Sequence, residues 1–230
     1  MINKPTETFI NGRRFYLIGG GKKYPSVTSV IGAILAKPPA VQQWAIKQTV
    51  QFLKSKGEVS DATCAEAVKH SQVFLGELAK EGTVNHGVVG AYLKTGKRIE
   101  SPLLDTFIDW ERKEDFKVKY IEQFVYSDKL QVAGSIDLLG TCFGQPFLID
   151  LKTSKGIYSS HIIQACAYKL LAIDNFKSFP RDCKVAILRI DKRGKSMDFY
   201  VVGEREEEIY SRIFRGIVQL FYDLNSVGGV

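Results

Sequence analysis

"FLIDLKTS", residues 147–154, decides how this chain is read. Phe147, Leu148, Ile149 and Leu151 give it the apolar character of a buried strand, yet Asp150 and Lys152 sit inside it. Side chains alternate faces along a strand, so Asp150 and Lys152 point one way and Ile149 and Leu151 the other. A charge taken out of water is costly unless it is paired or bound to a metal. Two charges sent to one place from one strand therefore mark either an ion pair that holds the sheet together or a site.

Working outward, "GSIDLLG" places Asp137 between Ile136 and Leu138 on the preceding strand, with the turn chemistry of Phe143-Gly144-Gln145-Pro146 between the two strands. Strict alternation turns Asp137 away from both of its apolar neighbours, and a hairpin brings it towards Asp150 and Lys152. Glu122, in "YIEQF", lies one strand earlier. Two or three carboxylates and one lysine on neighbouring strands suit metal-assisted phosphodiester cleavage. Hard oxygen donors hold Mg²⁺ or Mn²⁺ while water positions stay open for a substrate phosphate. The ion neutralises phosphate charge and supplies a hydroxide, and a lysine beside it orients the water or stabilises charge on phosphorus. An Asp150–Lys152 or Asp137–Lys152 ion pair with a purely structural role is the alternative.

Downstream, "HIIQACAYKLL" sets Gln164 and Tyr168 four residues apart on one helix face. His161 and His70 have no spacing partner, and surface placement is the default; His161 precedes Gln164, so a nucleic-acid contact is its alternative. Upstream, "GTVNHGVVGAYL" puts His86 on a face with Gly90, close to Val89 and Leu93, where a histidine satisfied within a core is the competing reading. Thr153 and Ser154 follow Lys152 directly and are candidates for supporting the site. Trp44 and Trp110 read as packing residues; Tyr158 could stack on a base, with rim packing as the alternative.

The remaining segments frame this centre. "FINGRRFYLI" reads as a hairpin about Asn11-Gly12. Ser26 caps an apolar helix, and Pro38-Pro39 opens a second one that Gly57 ends. Residues 61–80 predict a helix, and a separate one begins near Thr83 and stops at Gly96. A further helix near 103–113 leads into three strands, a helix capped by Ser159 or Ser160, two strands joined by "KRGK", and a long final helix opening on "EREEE". That order predicts a mixed α/β domain with one sheet.

At 230 residues the chain has the length for one domain, which we read as a helical part over about 24–115 and a core over about 116–230. Its formal net charge of +7 and pI near 9.1 fit a polyanionic partner. Cys64, Cys142, Cys166 and Cys183 form no C-x-x-C pair, which argues against a zinc finger and reads as reduced thiols. No apolar run approaches the roughly 18–20 residues of a membrane span. The expectation is a protein of the cytoplasm, bacterial or of a phage-infected host.

"GTVNH", "IEQFVY…VAGSIDLLG", "FLIDLKTS" and "QACAY", in that order, resemble the RecB-like branch of the PD-(D/E)XK nuclease superfamily. "YPSVTSVIGAIL" followed by Trp44 is similar to the N-terminal region of its phage-encoded members and of mitochondrial genome maintenance exonucleases. The resemblance implies a restriction-endonuclease-like αβββαβ core with a central mixed sheet, extra N-terminal helices and a C-terminal helix. It implies Asp137 and Asp150 as metal ligands, Lys152 as the catalytic lysine, His86 as a further ligand, Glu122 near the metals, and Gln164 and Tyr168 as the Gln-x-x-x-Tyr motif beside the site. Ile136 stands where the superfamily's name has proline. Some relatives carry an iron–sulfur cluster on one early and three late cysteines; that late grouping is missing here, so no cluster is expected. The implied activity is that of a DNA nuclease using one or two Mg²⁺ or Mn²⁺ ions, an exonuclease on single strands or free ends, with a recombination or replication protein as a compatible partner. A non-catalytic nucleic-acid-binding accessory that keeps the fold is the alternative.

Overall fold

The computed structural model of the chain describes residues 5–36, 39–57 and 59–227. It forms two compact units: residues up to Leu35 together with those from Val88 onward, and the smaller Ala36–Gly87.

The larger unit opens with β1 (Glu7–Ile10) and β2 (Arg13–Ile18), joined at Asn11 and Gly12, both with positive φ (50° and 75°) as a tight hairpin turn requires. A third strand, β3 (Lys22–Pro25), pairs with β2, so the chain has a second small sheet where the sequence predicts only one. The signal was short: four residues with two lysines carry little alternation. Ser26 then caps α1 (Val27–Ile34), its hydroxyl accepting the Ser29 N–H at 3.0 Å.

The smaller unit holds α2 (Pro39–Lys56) and the first part of α3 (Asp61–Thr95). Pro38, read as part of the break before α2, lies outside the described residues. Gly57 ends α2 with φ of 70°. The predicted gap between two helices near Thr83 is overturned: α3 runs unbroken to Thr95. Gly82 weakens a helix by only about 1 kcal/mol, and no proline follows to stop it.

The rest follows the predicted order. Ser101 caps α4 (Pro102–Lys113), with proline in its first turn. Then come β4 (Lys117–Ser127), β5 (Val132–Cys142), β6 (Gln145–Lys152), α5 (Ser159–Asn175), β7 (Lys184–Ile190), β8 (Met197–Val201) and α6 (Glu204–Ser226). The main sheet has the order β4-β5-β6-β7-β8, with only β6 and β7 parallel. The α5 crossover between β6 and β7 makes that parallel step. This is the αβββαβ core in a mixed sheet.

The strands separate two apolar layers. Leu148 of β6 and Val185 and Ile187 of β7 pack with α1, α5 and α6, while Phe147, Ile149, Leu151 and Leu188 pack with α4 and the last turns of α3. Trp110, fully buried in the second layer, is the packing residue expected. Polar ties fix α5 on the first face: Ser127 donates to Asp174 at 2.5 Å, and Lys169 pairs with Glu207 of α6 at 2.7 Å.

Gly134 of β5 lies under α5, where a Cβ would stand 2.5 Å from a ring carbon of Tyr168. We expect Gly134→Ala to displace that ring and destabilise the fold by about 1–3 kcal/mol, read from urea unfolding. Unchanged stability would mean the helix has slack over the sheet.

Candidate active site

The β5–β6 ladder is antiparallel from Cys142↔Gln145 to Leu138↔Ile149 and stops there. The next two residues are Asp137 and Asp150. The Asp137 carboxylate accepts the backbone N–H of Leu151 at 2.9 Å. A side chain thus takes the place of the backbone acceptor that a continued ladder would supply, and the carboxylate lies along the sheet towards β6.

Strict alternation about Asp137 does not hold. Ile136 belongs to the α5 layer and Leu138 to the α4 layer, so the facing pattern inverts at Asp137. On β4 the same inversion falls between Ile121 and Val125, and Glu122 has a left-handed backbone there (φ 52°). The register passes through unshifted, Ile121↔Leu138 and Gln123↔Ile136. Period-two reasoning could not foresee this, because a residue turned into the sheet plane belongs to neither face.

On β6 alternation does hold. Asp150 is fully buried, and Lys152 pairs with it at 2.6 Å with its own side chain 15% exposed. The face is that of α5. Tyr168, 4% exposed, lies there, and its hydroxyl accepts from Gln164 at 2.9 Å. Burial pushes the Tyr168 hydroxyl well above its usual pKa, and the charges of Asp150 and then Asp137 push it further. Tyr168 is therefore a neutral group within electrostatic reach of both acids. Ser154 donates to the Gly156 carbonyl at 2.8 Å and shapes the loop into α5, and Thr153 beside it is half-buried.

Two expectations about this helix end are corrected. Neither Ser159 nor Ser160 caps α5; Tyr158 is the cap residue, and its N–H donates to His161 Nδ1 at 3.3 Å. Nor is His161 a plain surface residue. It is half-buried, its ring meets Tyr158 edge-on at 5.2 Å, and its pKa falls to about 3, chiefly through burial and then through the charge of Lys152. Its three- and seven-residue spacing to Gln164 and Tyr168 was the available signal.

The other candidates are placed as follows. Glu122 is exposed and pairs with Lys94 at 3.2 Å. His86 is half-buried on the stretch of α3 that belongs to the smaller unit. Among the described residues no three His, Cys, Asp or Glu side chains converge as a metal-binding group. The four cysteines are free thiols, with Cys142, Cys166 and Cys183 buried. No described helix is long and apolar enough to cross a membrane.

A buried carboxylate beside a lysine has an asymmetric energetics. Removing Lys152 strands the Asp150 charge in the core, whereas removing Asp150 leaves a lysine whose long stem can reach water. We expect metal-free Lys152→Ala to lose about 3 kcal/mol or more of stability and Asp150→Asn to lose less. Added Mn²⁺ should raise the melting temperature of Lys152→Ala and not that of Asp150→Asn. Equal responses of the two variants would sink the idea that Asp150 is a cation ligand.

Comparison with known proteins bears on this geometry. The family model of the PD-(D/E)XK nuclease superfamily matches residues 43–226. A solved structure described as "Crystal structure of SSO0001" is 13% identical, with a TM-score of 0.31, over 84% of this chain and 84% of that one. No curated protein matches the sequence. The chain belongs to the PD-(D/E)XK nuclease superfamily, whose members cleave nucleic acids and typically use divalent metal ions.

Proposed function

We propose that this member of the superfamily is a divalent-metal-dependent deoxyribonuclease of its RecB-like branch, acting as an exonuclease on single-stranded DNA or free DNA ends. One observation carries the reading. Asp137 and Asp150 are the next residues beyond the end of the β5–β6 ladder, Asp137 accepts the Leu151 N–H, and Lys152 pairs with Asp150 on the same face.

The donor set fits a hard cation. Two carboxylates from adjacent strands offer oxygen ligands, and Mg²⁺ or Mn²⁺ is commonly held by one or two carboxylates with water and phosphate completing the shell. When bound, such an ion neutralises phosphate charge, lowers the pKa of a bound water and stabilises the leaving oxygen. His86 and Glu122 are proposed as further ligands, and for Glu122 this means exchanging its pair with Lys94.

The protein's own groups do the rest. Asp137 and Asp150 fix the cation position, with Asp137 held against the β6 backbone through Leu151. Lys152 orients the attacking water and meets the charge that builds on the phosphoryl oxygens. Tyr168 and Gln164 close the site from α5, Tyr168 excluding water behind the acids. Thr153 and Ser154 hold the loop that carries Lys152 into α5. The formal +7 charge aids capture of a polyanion. We take residues 1–230 as one nuclease domain that works in the cytoplasm of a bacterium or phage host beside recombination or replication proteins.

The test is digestion of end-labelled single- and double-stranded DNA with Mg²⁺ or Mn²⁺. We expect wild type to release nucleotides from ends, and Asp150→Ala and Lys152→Ala each to lose on the order of a hundredfold or more in rate. Cutting by Lys152→Ala at the wild-type rate would overturn the assignment. No cutting by wild type, with salt-dependent binding retained, would favour the nucleic-acid-binding accessory.

A further inference from the structure

We infer that His161 is a substrate-contacting residue of this site: its neutral imidazole donates the Nε2–H to a non-bridging oxygen of the phosphate being cleaved or of its neighbour. This rests on the nuclease reading above.

The inference starts from the cap of α5. An imidazole nitrogen that accepts a hydrogen bond carries no proton, and Nδ1 accepts the Tyr158 N–H at 3.3 Å. The hydrogen of the neutral ring is therefore on Nε2. The cap bond and the edge-on contact with Tyr158, centroids 5.2 Å apart, fix the ring's orientation. This is a tautomer and a direction set by the fold, which is how a histidine is prepared as a donor.

Its place on the helix gives the partner. His161, Gln164 and Tyr168 occupy one face of α5 at spacings of three and four residues. Tyr168, at the inner end of that row, senses the charges of Asp150 and Asp137. His161, at the outer end, senses the charge of Lys152. The inner end of the row thus feels the acids and the outer, half-buried end feels the lysine, to which a phosphate would be drawn.

Burial and the neighbouring cation keep the ring neutral, with a pKa of about 3. A second full positive charge next to Lys152 would compete for Asp150 and weaken the pair that holds it. A neutral N–H donor recognises the phosphate without that cost. The ligand class is therefore a phosphodiester oxygen, met by one charged and one neutral donor.

Two substitutions separate this role from capping. In His161→Asn the side-chain oxygen sits near the Nδ1 position, so the cap survives and the outer donor is lost. In His161→Gln the amide reaches the Nε2 position, so a donor is kept and the cap is weakened. We expect kcat/KM on end-labelled single-stranded DNA with Mn²⁺ to fall roughly tenfold or more in His161→Asn and to stay near wild type in His161→Gln. Melting temperature should follow the opposite order. Equal activities in the two variants, whether both retained or both lost, would overturn the inference and leave His161 a cap. Wild type that cuts normally, with Lys152→Ala inactive, keeps the nuclease reading in that case; inactive wild type removes both.

Discussion

The site depends on one side-chain bond to a backbone. Where the β5–β6 ladder ends, the Asp137 carboxylate accepts the Leu151 N–H that a continued ladder would have given to a carbonyl. A buried N–H cannot be left without an acceptor, so Asp137 is bound to this job by the same rule that builds the sheet. The bond has two results. It marks the end of the β5–β6 ladder, and it holds an acid against the strand that carries Asp150 and Lys152. A carboxylate pinned by the backbone has lost its freedom before any ligand arrives, so less order must be imposed when one binds.

The second constraint is the buried charge. Asp150 lies wholly within the molecule, and in an apolar core such a group would protonate instead of ionising. Lys152 favours the anion, and the polar lid of Tyr168 and Gln164 replaces a greasy one above it. That lid needs room, and β5 provides it with Gly134, where a Cβ would strike the ring of Tyr168. The helix is in turn tied at its far end by Asp174 to β4 and by Lys169 to α6. The functional row on α5 is thus set by contacts that lie well away from the acids.

Much of this was legible in the residues. The order of strands and helices followed from turns and periodicity, and β6 announced itself because its two charges interrupt an apolar run on one parity. Asp137 was found for a partly mistaken reason. Alternation placed it opposite both Ile136 and Leu138, whereas those two residues face different layers. What a single chain does not display is a position turned into the plane of a sheet, because that depends on the partner strand. His161 was read as a surface residue, with a nucleic-acid contact as the weaker alternative, because its burial and the influence of Lys152 on strand β6 arise from the fold and not from spacing along the helix. The continuous α3 was missed; Gly82 stands at the expected gap, and glycine alone is a weak stop.

The inversion at Asp137 has a counterpart that explains how it persists. Glu122 holds a left-handed backbone, a conformation that costs a non-glycine residue about 1 kcal/mol or more. A regular β4 would keep β5 alternating, and Asp137, following Ile136, would then face the α4 layer and lie on the wrong side of the sheet from Lys152. The strained residue sits between the pairs Ile121↔Leu138 and Gln123↔Ile136, where both strands change face with the register unshifted. Its cost is met by the paired backbone on either side, from Ile121↔Leu138 to Gln123↔Ile136, which leaves the strand no cheaper path. The acid on β5 is thus aimed by a backbone distortion one strand further out, and the sheet as a whole, not the three charged residues alone, specifies the geometry of the cluster.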